Sequence, residues 1–121
     1  MTRPDLSTMP TPDLVREFTE IAVQQSYAEA REDFARFRIL YDLMQVVADE
    51  LKARNARHFL SSLYEHPNLW VRYKAAVHTL IVMPQEARAV LEDLKAKKLY
   101  PAAADAYGLL DALDNGSFVP K

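Results

Sequence analysis

Apolar positions recur along this chain with the period of a helix, most densely over residues 69–83. On a wheel of ~100° per residue, Leu69, Tyr73, Ala76, Leu80 and Met83 form one stripe, widened by Trp70, Val77 and Ile81. Val71, Ala75 and Val82 form a second stripe on the other side. Two narrow polar seams separate them, Lys74 with His78 and Arg72 with Thr79. A helix that is apolar on two sides must be covered from two sides. It is therefore expected to be the inner helix of a layered stack, with Val71, Ala75 and Leu80 almost fully buried.

The other stripes predict the elements around it. Residues 1–10 hold two prolines and little to bury, so a loose arm is expected ahead of one helical domain over 11–121. Thr11-Pro12 suits a helix start, and Leu14, Phe18, Ile21 and Gln25, with Val15 and Ala22, line the first helix. Tyr27, Ala30, Phe34, Phe37, Tyr41, Met44, Ala48 and Leu51 form a second stripe, out of phase with the first by one to two residues. Ser26-Tyr27-Ala28-Glu29 has the form of a capping box, which predicts a break near Ser26. The second helix then runs to about Lys52, roughly 40 Å.

Asn55 is expected to end it, followed by a short helix over about 56–65 that presents Phe59, Leu60, Leu63 and Tyr64. His66-Pro67-Asn68 reads as a turn, with Asn68 capping the inner helix. Met83-Pro84 stops that helix and opens the next, whose buried face is Ala87, Val90, Leu91 and Leu94. A last helix starts at Tyr100-Pro101, runs through Leu109, Leu110 and Leu113, and stops at Asn115-Gly116. The tail is expected to lay Phe118 back on the core. That makes about six helices.

Composition narrows the class. No proline or glycine falls between Pro12 and Pro67, and Gly108 and Gly116 are the only glycines. Strand-rich domains need turn residues far more often, so the fold is read as all-α. A chain of 121 residues has room for one core. Up to Arg54 it carries 7 basic and 10 acidic residues, and beyond it 8 and 7. Neither part has the basic excess of a nucleic-acid binder. There is no cysteine, and no apolar run reaches the ~18 residues of a membrane span. The N-terminus lacks the apolar core of a signal peptide, so a cytoplasmic location is expected.

Candidate chemistry is sparse. His58, His66 and His78 stand 8 and 12 apart, which does not match the spacing of helical zinc ligands. The pairs Glu32-Asp33, Asp49-Glu50 and Glu92-Asp93 lie on polar helix faces, and Ser61-Ser62 has no base nearby in sequence. Two glycines cannot build a phosphate loop. No catalytic residue, cofactor or metal is therefore expected. Arg72, flanked by apolar stripes, is read as a structural tie to carbonyls or an acid. Trp70 suits either a core or an interface anchor. Lys74 and His78 are expected to be the most exposed residues of the inner helix. Trp70, Lys74 and His78 are thus the candidate partner-binding residues.

The segment 60–80, with Leu60 and Leu63, the turn His66-Pro67-Asn68, Val71-Arg72 and Ala75-Ala76, resembles a HEAT repeat. It departs where the turn aspartate is replaced by His66 and the usual leucine by Thr79. A second unit starting at Leu91 and Leu94 keeps the spacing only loosely. More of the chain, about 14–119, resembles a small bacterial family catalogued as domain of unknown function 2019. The residues that carry this are FARFRILYDLMQVVADELKAR at 34–54, HPNLWVR at 66–72 and PQEARAVLEDL at 84–94. The resemblance implies a short HEAT- or armadillo-like α-α superhelix and no activity. On this reading the chain is a protein-interaction module, of adaptor or immunity type, without catalysis and with another protein as partner. Two alternatives stand beside it: a HEAT-like enzyme handling nucleic acid or bases, for which Trp70, Arg72 and Lys74 are a thin constellation, and a homodimer built on the second helix.

Overall fold

The computed structural model describes residues 5–121. Among them it contains five α-helices, α1 (Thr11–Ala30), α2 (Phe34–Ala53), α3 (Leu69–Thr79), α4 (Pro84–Lys97) and α5 (Ala102–Asn115). A 3-10 helix, Arg57–Leu63, lies between α2 and α3, and the described residues hold no strand. The fold is all-α, as the helical periodicity and the scarcity of turn residues require. The chain divides into two compact units, Met1–Phe59 and Leu60–Lys121.

In the first unit α1 packs against α2. The buried stripe of α1 is Leu14, Phe18, Ile21, Ala22, Gln25 and Ala28. That stripe continues the 14-18-21-25 spacing without a break, and Ser26 lies inside the helix, donating to the Val23 carbonyl. The break expected at Ser26 falls instead at 31–33. There Glu32 takes a left-handed φ of 56°, Asp33 N–H donates to the Ala28 carbonyl and Glu32 N–H to that of Glu29. These two bonds form a Schellman stop. Asp33 then caps α2, its side chain accepting from the Arg36 backbone N–H. Each helix is 20 residues long, about 30 Å, rather than one short and one long.

The end of α2 repeats the device. Asn55, with φ 53°, donates to the Lys52 carbonyl, and Ala56 N–H to that of Leu51. Asparagine tolerates the left-handed region and glutamate does not, which is why only the second stop is legible in the sequence. Glu32→Gly is accordingly expected to raise stability by up to ~1 kcal/mol, the left-handed cost of a side chain less the added freedom of the unfolded chain. A urea melt checks it, since at an ordinary helical position the same change lowers the midpoint.

Of the expected arm, residues 1–4 lie outside the described residues. From Asp5 onward the segment is held. Leu6 is buried, and the Arg54 guanidinium donates to the carbonyls of Leu6 (2.9 Å) and Ser7 (3.3 Å) while pairing with Glu50 at 2.8 Å. A basic side chain near the C-terminus of α2 thus satisfies carbonyls that precede α1.

In the second unit α3 packs against both α4 and α5, and α4 against α5. Their core is Ala76, Leu80, Ala87, Leu91, Leu94, Ala106 and Leu110, edged by Leu69, Tyr73, Val90, Leu109 and Leu113. Every residue of α3 is buried or half-buried, with Val71, Ala75 and Ala76 fully inaccessible. The inner position read from the two apolar stripes holds over residues 69–80, but the helix ends at Thr79 rather than Met83, and Ile81 and Val82, read into those stripes, are exposed. Pro84 opens α4, and Gly116, with φ 80°, ends α5. Phe118 N–H donates to the Ala112 carbonyl, but its ring stays partly exposed.

Candidate functional site

The turn that launches α3 is built from three polar side chains. Asn68 Oδ1 accepts from the backbone N–H groups of Trp70 (2.9 Å) and Val71 (3.3 Å), so it caps the helix. His66 Nδ1 accepts from Asn68 N–H at 3.0 Å. An aspartate carboxylate makes this same bond in an Asx turn, and here His66 supplies the acceptor. Arg72 reaches back one turn, its Nε donating to the His66 carbonyl at 2.6 Å. The guanidinium thus ties α3 to the turn preceding it.

A charge-assisted bond of this kind is worth ~1.5–3 kcal/mol when well sheltered. Arg72 is half-buried, so Arg72→Ala is expected to cost about 1–2 kcal/mol, after discounting for solvent. Arg72→Lys should recover little, because the planar fork is lost. Thermal melts of both variants test this.

One turn along, α3 carries the residues that sequence reading placed on a partner-binding face. Lys74, expected to be exposed, is 7% accessible, and Trp70 is buried beside it. Lys74 Nζ lies 5.9 Å from the Trp70 ring centroid, close enough for a cation–π contact. The reason for the correction is α5. It packs on α3 and brings Asp105, in its first turn, into electrostatic range of both Lys74 and Tyr73. His78 is half-buried.

Burial sets the chemistry of this cluster. Loss of hydration pushes the Lys74 ammonium down from 10.5 to about 8, with Asp105 pulling the other way. Burial likewise raises the Tyr73 hydroxyl to about 12, an effect that Asp105 adds to. The Asp105 carboxyl is raised by desolvation and lowered by Lys74. Trp70, Tyr73, Lys74 and Asp105 thus form an amphipathic knot joining α3 and α5. Asp105 carried no signal in the sequence, because its coupling to Lys74 and Tyr73 is made across helices. Among the described residues no group of three or more histidine, aspartate or glutamate side chains could hold a metal ion.

A different surface is open. In α2 the expected stripe ran through Phe34, Phe37, Tyr41, Met44, Ala48 and Leu51, whereas the buried one is Leu40, Met44, Val47, Ala48 and Leu51. The core face is thus rotated, and the aromatic edge is left in solvent. Phe34 is 68% exposed and Tyr41 51%, with Arg38 and Gln45 exposed on the same side and Phe37 half-buried beside them. Ile39, on another side of the helix, is 55% exposed. The spacing 34-38-41-45 lines one face of a helix. The sequence did hold one sign of this: Arg38 falls one turn from Phe34, at a place where a core stripe carries no charge.

Comparison with known proteins places the chain among relatives of the same fold. The family described as Domain of unknown function (DUF2019) matches residues 12–114. The chain is similar to a protein with a solved crystal structure, RPA1889 from Rhodopseudomonas palustris, at 45% identity and a TM-score of 0.94. The match covers 98% of this chain and 99% of that one. Among curated proteins none matches.

Proposed function

This chain belongs to the DUF2019 family, and from its surface we propose that it is a protein-interaction module without catalytic activity. The observation that carries this reading is the open aromatic edge of α2. Exposed phenylalanine and tyrosine flanking an arginine have the composition of interface hot spots, where aromatic and Arg side chains dominate binding. Large exposed apolar side chains cost solubility, so their place on a rigid helix supports a binding role. HEAT-like helical stacks work in this way, by presenting helix faces to other proteins. The adaptor or immunity-type version rests on that analogy of fold.

Against the nucleic-acid or base-handling alternative stand the acidic balance of the chain and the burial of Trp70 and Lys74. No helix of the described residues is long and apolar enough to cross a membrane, and the partner is taken to be a protein.

The test is a pull-down from the source organism with wild type, Phe34→Ser/Tyr41→Ser and Arg72→Ala. The double variant is expected to melt within about 0.5 kcal/mol of wild type, since both positions are exposed, yet to lose a partner that wild type retains. Retention of the same partners by the folded double variant defeats the assignment of this face.

A further inference from the structure

We propose that the occupant of the α2 face is a second copy of this chain, packed antiparallel through α2 about a two-fold axis. This deepens the reading of α2 as a docking surface and rests on it. The argument is the placement of charge. Arg38 and Asp42 are both exposed, one turn apart, at the edge of the aromatic seam. Neither makes an ion pair with any other described residue. A two-fold interface places the same patch on both subunits, so each contact occurs twice. With the axis passing between Ile39 and Leu40, position 38 of one copy faces positions 41 and 42 of the other. Arg38 then meets Tyr41 and Asp42 of the second copy, and the same contacts recur on the other side of the axis. Phe34 packs toward the opposing Gln45, with Phe37 filling the seam. An acidic or a basic partner would leave one of the two charges opposed by its own sign. A second copy satisfies both.

One helix face is a small interface, below the ~1,200 Å² of standard specific complexes, so association in the micromolar range or weaker is expected. Sedimentation equilibrium from about 10 µM to about 1 mM spans that range. Wild type is expected to shift from monomer to dimer across it, and Phe34→Ser to stay monomeric with an unchanged melt. Arg38→Glu alone puts two carboxylates in apposition at each end, and Asp42→Arg alone two guanidinium groups. Each single variant is expected to associate at least tenfold more weakly. Mixed in equal amounts they should form a heterodimer, because glutamate and aspartate of one copy then face two arginines of the other. The double variant Arg38→Glu/Asp42→Arg should recover dimerisation by itself. Wild type that sediments as a monomer throughout overturns the proposal. So does a folded pair of single variants that fail to associate when mixed. In either case loss of a different protein on Phe34→Ser/Tyr41→Ser would keep the interaction reading and assign the face to that protein.

Discussion

Replacement of Ala75 by glutamate is expected to abolish folding of the unit Leu60–Lys121. Ala75 is wholly inaccessible in the middle of α3, between the equally inaccessible Val71 and Ala76. Its carbonyl already accepts from the Thr79 hydroxyl at 2.8 Å as well as serving the helix. A glutamate there must either displace neighbouring side chains or leave a carboxylate without water or partner. Overpacking alone costs ~1–3 kcal/mol. An unpaired buried charge adds ~3–5 kcal/mol. The sum rivals the ~5–15 kcal/mol that a domain of this size has in total. Circular dichroism should show lost helicity or insoluble protein. Soluble Ala75→Glu protein with an unaltered melting profile would remove the inner position assigned to α3.

Lys74→Met is expected to act in the opposite direction, raising stability near neutral pH by roughly 2–3 kcal/mol. The sign follows from linkage. Burial lowers the folded-state value for Lys74 from 10.5 to about 8. Below pH 8 both folded and unfolded chains carry the charge, and the folded chain bears the full desolvation cost. Between about 8 and 10.5 the unfolded chain holds the extra proton, so stability rises with pH across that window. A difference of about 2.5 in pKa corresponds to ~3 kcal/mol. Methionine keeps the length and apolar stem of the side chain and removes the charge, as in other replacements of buried ions that prove neutral or stabilising.

Tyr73 limits the window at its upper end. Its hydroxyl is raised from 10.0 to about 12, so above pH 10 the folded chain retains a proton that the unfolded chain loses, and stability falls. Urea melts from pH 7 to 10 should thus show wild type gaining stability, while Lys74→Met starts higher and stays flat. A flat wild-type profile, or a destabilised Lys74→Met, shows that the ammonium is well compensated by Asp105 and the Trp70 ring.

Several features of this protein were decided within a few residues and could be read directly. Asn68 caps α3 because its carboxamide reaches N–H groups two and three residues on. Pro84 opens a helix, and Asn55 and Gly116 close helices, because each carries its conformational preference with it. The two apolar stripes of α3 announced an inner helix, since such a helix has no stable place in water. Arg72 was legible as a donor in need of a carbonyl, though not as a donor to His66.

Three features depended on tertiary structure. The stop at Glu32 uses a residue ill-suited to φ 56°, and it is held because α1 and α2 must turn there to bury Phe18 against a partner. Local preference is a matter of ~1–2 kcal/mol, which packing of two long helices outweighs. The rotation of the α2 core stripe was hidden because Met44, Ala48 and Leu51 belong to both the expected and the observed stripe, and only a neighbour's position selects between them. Lys74 was read as surface because its sequence surroundings specify a polar seam, but a seam is wet only if nothing lies across it. The approach of α5 covered it, and the same charge that appeared to face solvent became a buried group whose cost the packing of α3, α4 and α5 offsets.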